Sequence, residues 1–179
     1  MVDPDHTFPW MSGAPQRVIA WIAQSVVTAM TGEASARFPE ETGGVLLGYW
    51  SQTEDDVVIH HAVGPGPNAT HKRLRFHPDS QFHEAEIARI YEMSGRRHTY
   101  LGDWHTHPRG GLRLSVRDLR TLSRIARTRE ARVSVPIMII LAGDEKEWKI
   151  AVWRFQGPHG LACILRLASI HRLETCLFG

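Results

Sequence analysis

The chain of 179 residues contains only two cysteines, Cys163 and Cys176. Two thiols outside any C-x-x-C motif cannot form a disulfide scaffold, and such low usage suits a reducing compartment. The sequence also lacks any apolar run near the roughly 18 residues that a membrane span needs. Its N-terminal segment has acids and prolines where a signal peptide has a basic and an apolar run. We therefore expect a soluble, cytoplasmic protein.

Lysine is scarce as well: there are 3 lysines against 18 arginines. The formal net charge is nevertheless only +2, so no overall basic field favours nucleic acid. Nucleic acid and membranes are accordingly not expected as partners. Apolar residues make up 42% and charged residues 22% of the chain. These ordinary globular values exclude wholesale disorder and favour one domain with one core.

The pattern of elements predicts a single α/β domain with a mixed central sheet flanked by helices. Residues 1–14 are predicted to be a flexible leader because prolines and glycine oppose a helix there, and residues 15–179 to be the domain. Helices are predicted over 15–31, from Asp79 or Ser80 to about Gly95, and from Ser115 onwards. Strands are predicted over 43–50, 56–63, 73–76, 98–105, 135–142 and 147–155, and the tail over 160–178 is predicted to pack back as a strand or a short helix.

The strongest chemical signal is His105-Thr106-His107-Pro108, followed by Ser115 and Asp118. Residues two apart on a strand point to the same side, so both imidazoles can face one metal ion. Asp118, one turn into the third helix, can add an oxygen. Three ligands that leave a fourth position open are typical of catalytic zinc, whereas structural zinc usually has four protein ligands.

Each piece has a structural alternative when taken alone. An H-x-H pair is commonly a surface or packing feature. The Ser115-x-x-Asp118 spacing also matches a capping box, in which the two side chains close the first turn of a helix. The two interpretations of Asp118 conflict, since a carboxylate that binds metal is not expected to reach back to the cap.

A second segment, Pro39-Glu40-Glu41-Thr42-Gly43-Gly44-Val45-Leu46-Leu47-Gly48, lies far upstream. Together with H-T-H-P-x6-S-x-x-D, this segment resembles the JAMM (MPN+) metalloprotease family over roughly residues 38–155. Further similarities are G-P-G-P at 64–67 and Y-L-G-D-W-H-T-H-P at 100–108. They resemble the bacterial deconjugases of antiphage operons, the CBASS-associated and Bil-type systems. The resemblance implies a JAMM/MPN-like fold.

The resemblance also implies a role for each motif residue. His105, His107 and Asp118 would bind Zn²⁺, and Glu41 would be the general base that takes a proton from the zinc-bound water. Ser115 would steady the tetrahedral oxyanion. Glu40 competes with Glu41, but adjacent strand residues face opposite sides. The family pattern places the acid directly before Thr-Gly-Gly, which selects Glu41.

The implied activity is that of a zinc isopeptidase or peptidase cutting after the C-terminus of a ubiquitin-like protein. That protein or its conjugates would be the partner, and operon-encoded transfer enzymes are further candidates. Two alternatives remain open at this point: a non-catalytic MPN-type scaffold, and a peptidase that processes sulfur-carrier fusions. Scaffold members usually lack the metal ligands, and this chain has them all.

Three neighbouring features carry open alternatives. Asp103 shares the ligands' side of the predicted strand and either supports a ligand or is structural, whereas Trp104 is expected in the core. Eight arginines and two acids lie between Arg109 and Arg132. This stretch is either a solvated helix face or a docking surface for an acidic partner. The other nine histidines are expected to be packed or solvated.

Overall fold

A computed structural model describes residues 18–52, 56–157 and 169–179. In this part of the chain, eight strands form one sheet in the order β10-β1-β3-β2-β6-β7-β8-β9. Its strands are β1 Ile19–Ala23, β2 Gly43–Trp50, β3 Val57–Val63, β6 Thr99–Pro108, β7 Ile137–Gly143, β8 Trp148–Gln156, β9 Ser169–Arg172 and β10 Glu174–Phe178. A separate hairpin pairs β4 Thr70–Lys72 with β5 Arg75–His77. The helices are α1 Gln24–Arg37, α2 Ser80–Met93, α3 Val116–Arg127 and a 3₁₀ turn at Arg129–Ala131.

The sheet is mixed, as predicted. Strand β6 pairs antiparallel with β2 and parallel with β7, and β1 pairs parallel with both β3 and β10. Both faces are covered by helices, which explains the nearly continuous apolar run of β2. Leu46 packs in the cluster that contains α1, whereas Val45 and Leu47 pack against α2. Helix α3 covers the same face as α2, where Leu122 meets Met138 and Ile140. The α/β fold class is confirmed.

The predicted first helix over 15–31 is wrong at its start. Residues 15–17, like the predicted leader over 1–14, lie outside the described residues. Ile19–Ala23 forms β1, and the helix begins only at Gln24 and runs on to Arg37. The apolar spacing of this segment suits either element, and pairing with β3 and β10 on both sides decides for a strand. In the tail, the strand alternative is correct for Ser169–Arg172 and Glu174–Phe178.

Glycine at the start of β2 allows this strand to approach the end of β6 closely. Gly43 pairs with His105 on β6, and a Cβ on Gly43 would lie 2.4 Å from the Trp104 carbonyl oxygen and 2.7 Å from the His105 Cβ. Any side chain at this position would therefore force the strands apart. One residue before Gly43, Thr42 is bound to β6 by the buried Thr106, whose hydroxyl accepts the Thr42 N–H at 2.9 Å. The residue before Thr42, Glu41, thus lies beside the end of β6.

No helix in the ranges 18–52, 56–157 and 169–179 combines the length and apolar character needed to cross a bilayer.

Candidate metal centre

The structure brings the three predicted ligands together. His105 and His107 project from the same side of β6, and their Nε2 atoms lie 2.9 Å apart. Asp118, from the first turn of α3, places Oδ1 3.2 Å from Nε2 of His105 and Oδ2 3.6 Å from Nε2 of His107. One ligand atom from each residue lies within 4.8 Å of the others. Residues from a strand and a helix thus converge on one point.

The donor set suits a divalent transition metal. His107 Nδ1 lies 2.9 Å from the Gly111 carbonyl oxygen, which can only accept, so Nδ1 carries the proton. The Nε2 lone pair therefore faces the cluster, as in metal-binding histidines whose second nitrogen donates to a carbonyl. Asp118 is only 4% exposed, and such a buried carboxylate needs a cationic or hydrogen-bonding partner. Two imidazoles and one carboxylate could supply three ligands to such an ion.

Asp118 belongs to the metal cluster and to the helix cap at the same time. Its Oδ2 accepts the Ser115 N–H at 2.5 Å, while the Asp118 N–H donates to Ser115 Oγ at 3.3 Å. This is a complete capping box. The capping box forms, as the structural alternative predicts. Metal binding by Asp118 stays a prediction, which the cap permits because Oδ2 accepts the Ser115 N–H and Oδ1 faces Nε2 of His105. Burial would raise the pKa of Asp118, but hydrogen bonds with His105 and His107 hold it well below its usual range.

Glu41 lines the same cavity as the three ligands, and Glu40 does not. Burial raises the pKa of the Glu41 carboxyl above its ordinary value, with partial opposition from His105 and His107. Both backbone polar groups of Glu41 form hydrogen bonds with residues of strand β4. The Glu41 N–H donates to the Lys72 carbonyl at 2.9 Å, and the Glu41 carbonyl accepts from His71 Nδ1 at 3.0 Å. The carboxylate is therefore carried by a fixed stretch of backbone.

Ser115 also lines this cavity, which has a volume of about 600 Å³. Its Oγ accepts the Asp118 N–H, which leaves the hydroxyl hydrogen to donate. Beyond the motif residues, the walls are basic, with Arg75 and His77 from β5 and Arg117 and Arg124 from α3. The Arg117 Nη1 donates to the Leu74 carbonyl at 3.0 Å, so α3 is tied to the tip of the hairpin.

From the sequence, His71 of the hairpin and His83 of α2 are expected to be packed or solvated, and the structure places both beside the site. His71 holds the Glu41 backbone. His83 is buried in the cavity wall, where its Nε2 lies 2.8 Å from the Gly64 carbonyl oxygen. Neither histidine stands in a recognisable spacing to the motif. The three-residue strand β4 carries too little periodicity for its pairing with Glu41 to be predicted.

Asp103 lines the cavity, but its hydrogen-bond partner is Tyr100, whose hydroxyl donates to Oδ1 at 2.6 Å. Burial raises the pKa of Asp103. The two side chains meet because the pairing register with β2 shifts where β6 passes Gly102. Gly102 has a φ of 146°, and a Cβ there would lie 1.9 Å from the Ile137 carbonyl oxygen. Trp104 is 2% exposed, in the core as expected.

Comparison with known families gives a match over most of the chain. The profile of the prokaryotic homologs of the JAB domain matches residues 23–156. A probable metalloprotease, y4qB, of Sinorhizobium fredii is 42% identical over 136 residues, covering 75% of this chain and 82% of that protein. A protein of Enterobacter hormaechei named CD-NTase/cGAS isopeptidase is 28% identical over 128 residues, or 69% of this chain and 67% of that one.

A solved structure has a fold similar to that of this chain. The solution structure of protein DSY2949 from Desulfitobacterium hafniense superposes with a TM-score of 0.63. It covers 89% of this chain and 92% of the other, at 16% identity. At this identity, the likeness concerns the fold alone.

Proposed function

The chain belongs to the family of prokaryotic JAB-domain homologues and is a hydrolase of the metalloprotease type, and from this premise we propose its reaction. It cleaves the peptide or isopeptide bond that follows the C-terminus of a ubiquitin-like protein, with zinc as the metal. The observation that carries the proposal is the convergence of His105, His107 and Asp118 with Glu41 and Ser115 around one cavity. A non-catalytic scaffold would have no use for this full set.

The metal ligands and Glu41 divide the hydrolytic chemistry between them. A zinc ion held by His105, His107 and Asp118 would supply Lewis acidity to the scissile carbonyl and the attacking water. Glu41 takes a proton from that water and returns it to the leaving amine. The position of Glu41 supports this role, because it lines the same cavity as His105, His107 and Asp118.

Ser115 acts on the charge that develops during the reaction. Its hydroxyl donates a hydrogen bond to the oxyanion formed from the scissile carbonyl. Such a fixed donor stabilises the transition state more than the ground state. The capping box holds the Ser115 side chain on the Asp118 N–H, and Ser115 lines the same cavity as His105 and His107, so the donor needs no rearrangement.

The substrate class rests on the names of two kinds of relative. One is named a metalloprotease, and others are named CD-NTase/cGAS isopeptidase. For this chain, we propose removal or processing of a ubiquitin-like protein in the cytoplasm of a bacterium, as part of antiphage defence. Its partners would be the ubiquitin-like protein, the conjugated target and operon-encoded transfer enzymes. These names favour deconjugation over the processing of sulfur-carrier fusions.

The basic walls of the cavity support a charge preference within this class. Arg75 and Arg124 line the cavity beside Arg117, and along α3 the exposed residues Arg117, Arg120, Arg124 and Arg127 follow at helical spacing. Asp118, on the same helix, is buried in the metal cluster. We therefore favour a docking role for the arginine stretch, toward acidic side chains on the substrate, over a merely solvated face.

The test uses a fusion of a ubiquitin-like protein from the same operon to a reporter, with mass spectrometry to locate the cut. The expected cut follows the terminal glycine of the ubiquitin-like protein. The tail must lie extended to reach both the metal and Ser115, in a mode resembling an added strand. A matched fusion with leucine at the terminal glycine should resist cleavage. Equal rates on both fusions would indicate a general peptidase, and no cleavage of either would contradict the proposed substrate class.

A further inference from the structure

A second, smaller cavity lies at the other end of the sheet from the metal centre, and we refer to it as the distal cavity. Its walls include Trp50 at the end of β2, Thr99 at the start of β6 and Arg154 near the end of β8, together with Arg132 and Ser134. Along β6, the eight residue steps from Thr99 to His107 correspond to roughly 26 Å. The distal cavity is therefore separate from the catalytic cavity.

Arg154, a half-buried residue, brings a guanidinium with one unsatisfied nitrogen into this region. Its Nε is buried and has no hydrogen-bond partner among the described residues. The guanidinium carbon lies over the Trp50 ring, 5.3 Å from its centre. This cation–π contact supplies no acceptor oxygen for the Nε N–H. A buried charged donor without an acceptor is unusual in folded proteins and calls for an explanation such as a bound ion.

Arg132 supplies a second guanidinium under an unusual backbone condition. Its φ is 52°, in the left-handed region that residues with a Cβ seldom adopt. The turn is closed by a hydrogen bond of 3.2 Å from the Arg132 N–H to the Arg129 carbonyl. Asparagine or glycine would suit such a turn better. Arg96 and Arg109 adopt the same left-handed conformation, so the turn alone does not mark a site. What distinguishes Arg132 is that it lines the cavity with Arg154.

The chemistry of these walls is that of an oxyanion site. Arg132, Ser134 and Arg154 line the cavity, and no acidic residue occurs among the described residues of its lining. Guanidinium forks recognise phosphate and carboxylate oxygens in a bidentate manner. The volume of about 160 Å³ is below the roughly 300 Å³ at which pockets for drug-sized ligands begin. Only a small group fits.

We propose that the distal cavity binds a phosphate group, either as the free ion or as a small phosphate ester. A phosphate carries close to two negative charges at neutral pH, which matches two arginines. It also has more acceptor oxygens than a carboxylate, so it can engage both guanidinium forks and the Ser134 hydroxyl. The proposal is independent of the peptidase activity, since it involves none of the motif residues.

The test is calorimetric titration of the full chain with inorganic phosphate and, in a separate arm, with glycerol phosphate, at constant ionic strength. Saturable binding is expected in at least one arm, and the two arms distinguish the free ion from an ester. Arg132→Asn removes one guanidinium and leaves a residue that tolerates the left-handed turn. Arg154→Gln removes the other. Each variant should weaken binding at least tenfold.

Two matched controls locate the bound ion. Arg129→Gln removes an exposed arginine three residues from Arg132 that does not line the cavity, and it should leave affinity within about twofold. Arg124→Gln removes a cavity arginine of the catalytic site and should do the same. Loss of binding in Arg124→Gln with retention in Arg132→Asn would overturn the proposal by placing the ion in the catalytic cavity. Tighter binding of malonate than of phosphate would overturn it as well. If Arg154→Gln fails to fold, the phosphate affinity of Arg132→Asn alone tests the proposal.

Discussion

The Asp118 carboxylate accepts the Ser115 N–H at 2.5 Å through Oδ2, while its Oδ1 lies 3.2 Å from the Nε2 of His105. The hydrogen bond that closes the first turn of α3 therefore also orients the carboxylate that faces His105 and His107. Ser115 is thereby placed beside the metal cluster by the same local structure. The stability of the helix start and the geometry of the site are thus linked through two residues.

Because of this link, replacing Ser115 should change both the stability of the protein and its turnover. Ser115→Ala should lower the free energy of unfolding by about 1 kcal/mol, the usual cost of losing an N-cap. Loss of an oxyanion donor should also lower kcat by about 100-fold or more. Ser115→Thr keeps the hydroxyl and should restore most of both quantities. Denaturant unfolding and steady-state kinetics measure them separately. A kcat for Ser115→Ala equal to that of the wild type would remove Ser115 from the mechanism.

Metal content tests the ligand set directly. One metal ion per chain is expected, identified as zinc by elemental mass spectrometry of the purified protein. His107→Ala should lose most of that metal because two ligands remain. His171→Ala changes an exposed histidine of β9 and should retain it. Full metal retention in His107→Ala would place the site elsewhere.

The contact between His71 and the Glu41 backbone predicts a positioning role for the hairpin. His71→Phe removes the hydrogen bond of 3.0 Å to the Glu41 carbonyl, and kcat should fall while KM and metal content stay unchanged. His71→Asn keeps an N–H donor near the position of Nδ1 and should recover part of the loss. A uniform loss of stability in both variants, with no difference in kcat between them, would indicate a purely structural role.

Three histidines outside the catalytic site predict a pH dependence of stability. His60 and His98 stack with ring centroids 4.4 Å apart, and His61 Nε2 lies 2.9 Å from His98 Nδ1. Burial lowers the pKa of all three below their ordinary value. The neighbouring histidines lower the pKa of His61 and His98 further, with smaller contributions from Arg89 at His61 and Arg97 at His98.

Because the unfolded chain binds these protons more readily, the free energy of unfolding should be highest above the ordinary histidine pKa of about 6.5 and fall below it. His60→Phe keeps a stacking ring without a titrating nitrogen and should flatten this decline. Denaturant titrations across the acidic range measure the slope, with His171→Phe as the control. An unchanged slope in His60→Phe would show that the cluster does not contribute.

Much of the candidate site could be predicted because its signals are local. The H-x-H spacing on a strand and the Ser115-x-x-Asp118 spacing at a helix start each determine a face or a turn. What could not be predicted depends on pairings between distant segments. The contact of Tyr100 with Asp103 needs the register shift at Gly102, which simple alternation along β6 does not reveal. Strand β1 likewise forms because β3 and β10 flank it.

The central claim is that Glu41 is the base and the metal ligands are separate from it, and turnover in a matched pair of variants tests it most directly. Glu41→Gln should retain the metal and the fold but lose nearly all kcat on the ubiquitin-like fusion, because the amide cannot take the proton. Glu40→Gln changes a neighbour that does not line the cavity, and it should turn over at the wild-type rate. Unimpaired turnover in Glu41→Gln, or an equal loss in Glu40→Gln, would contradict the account.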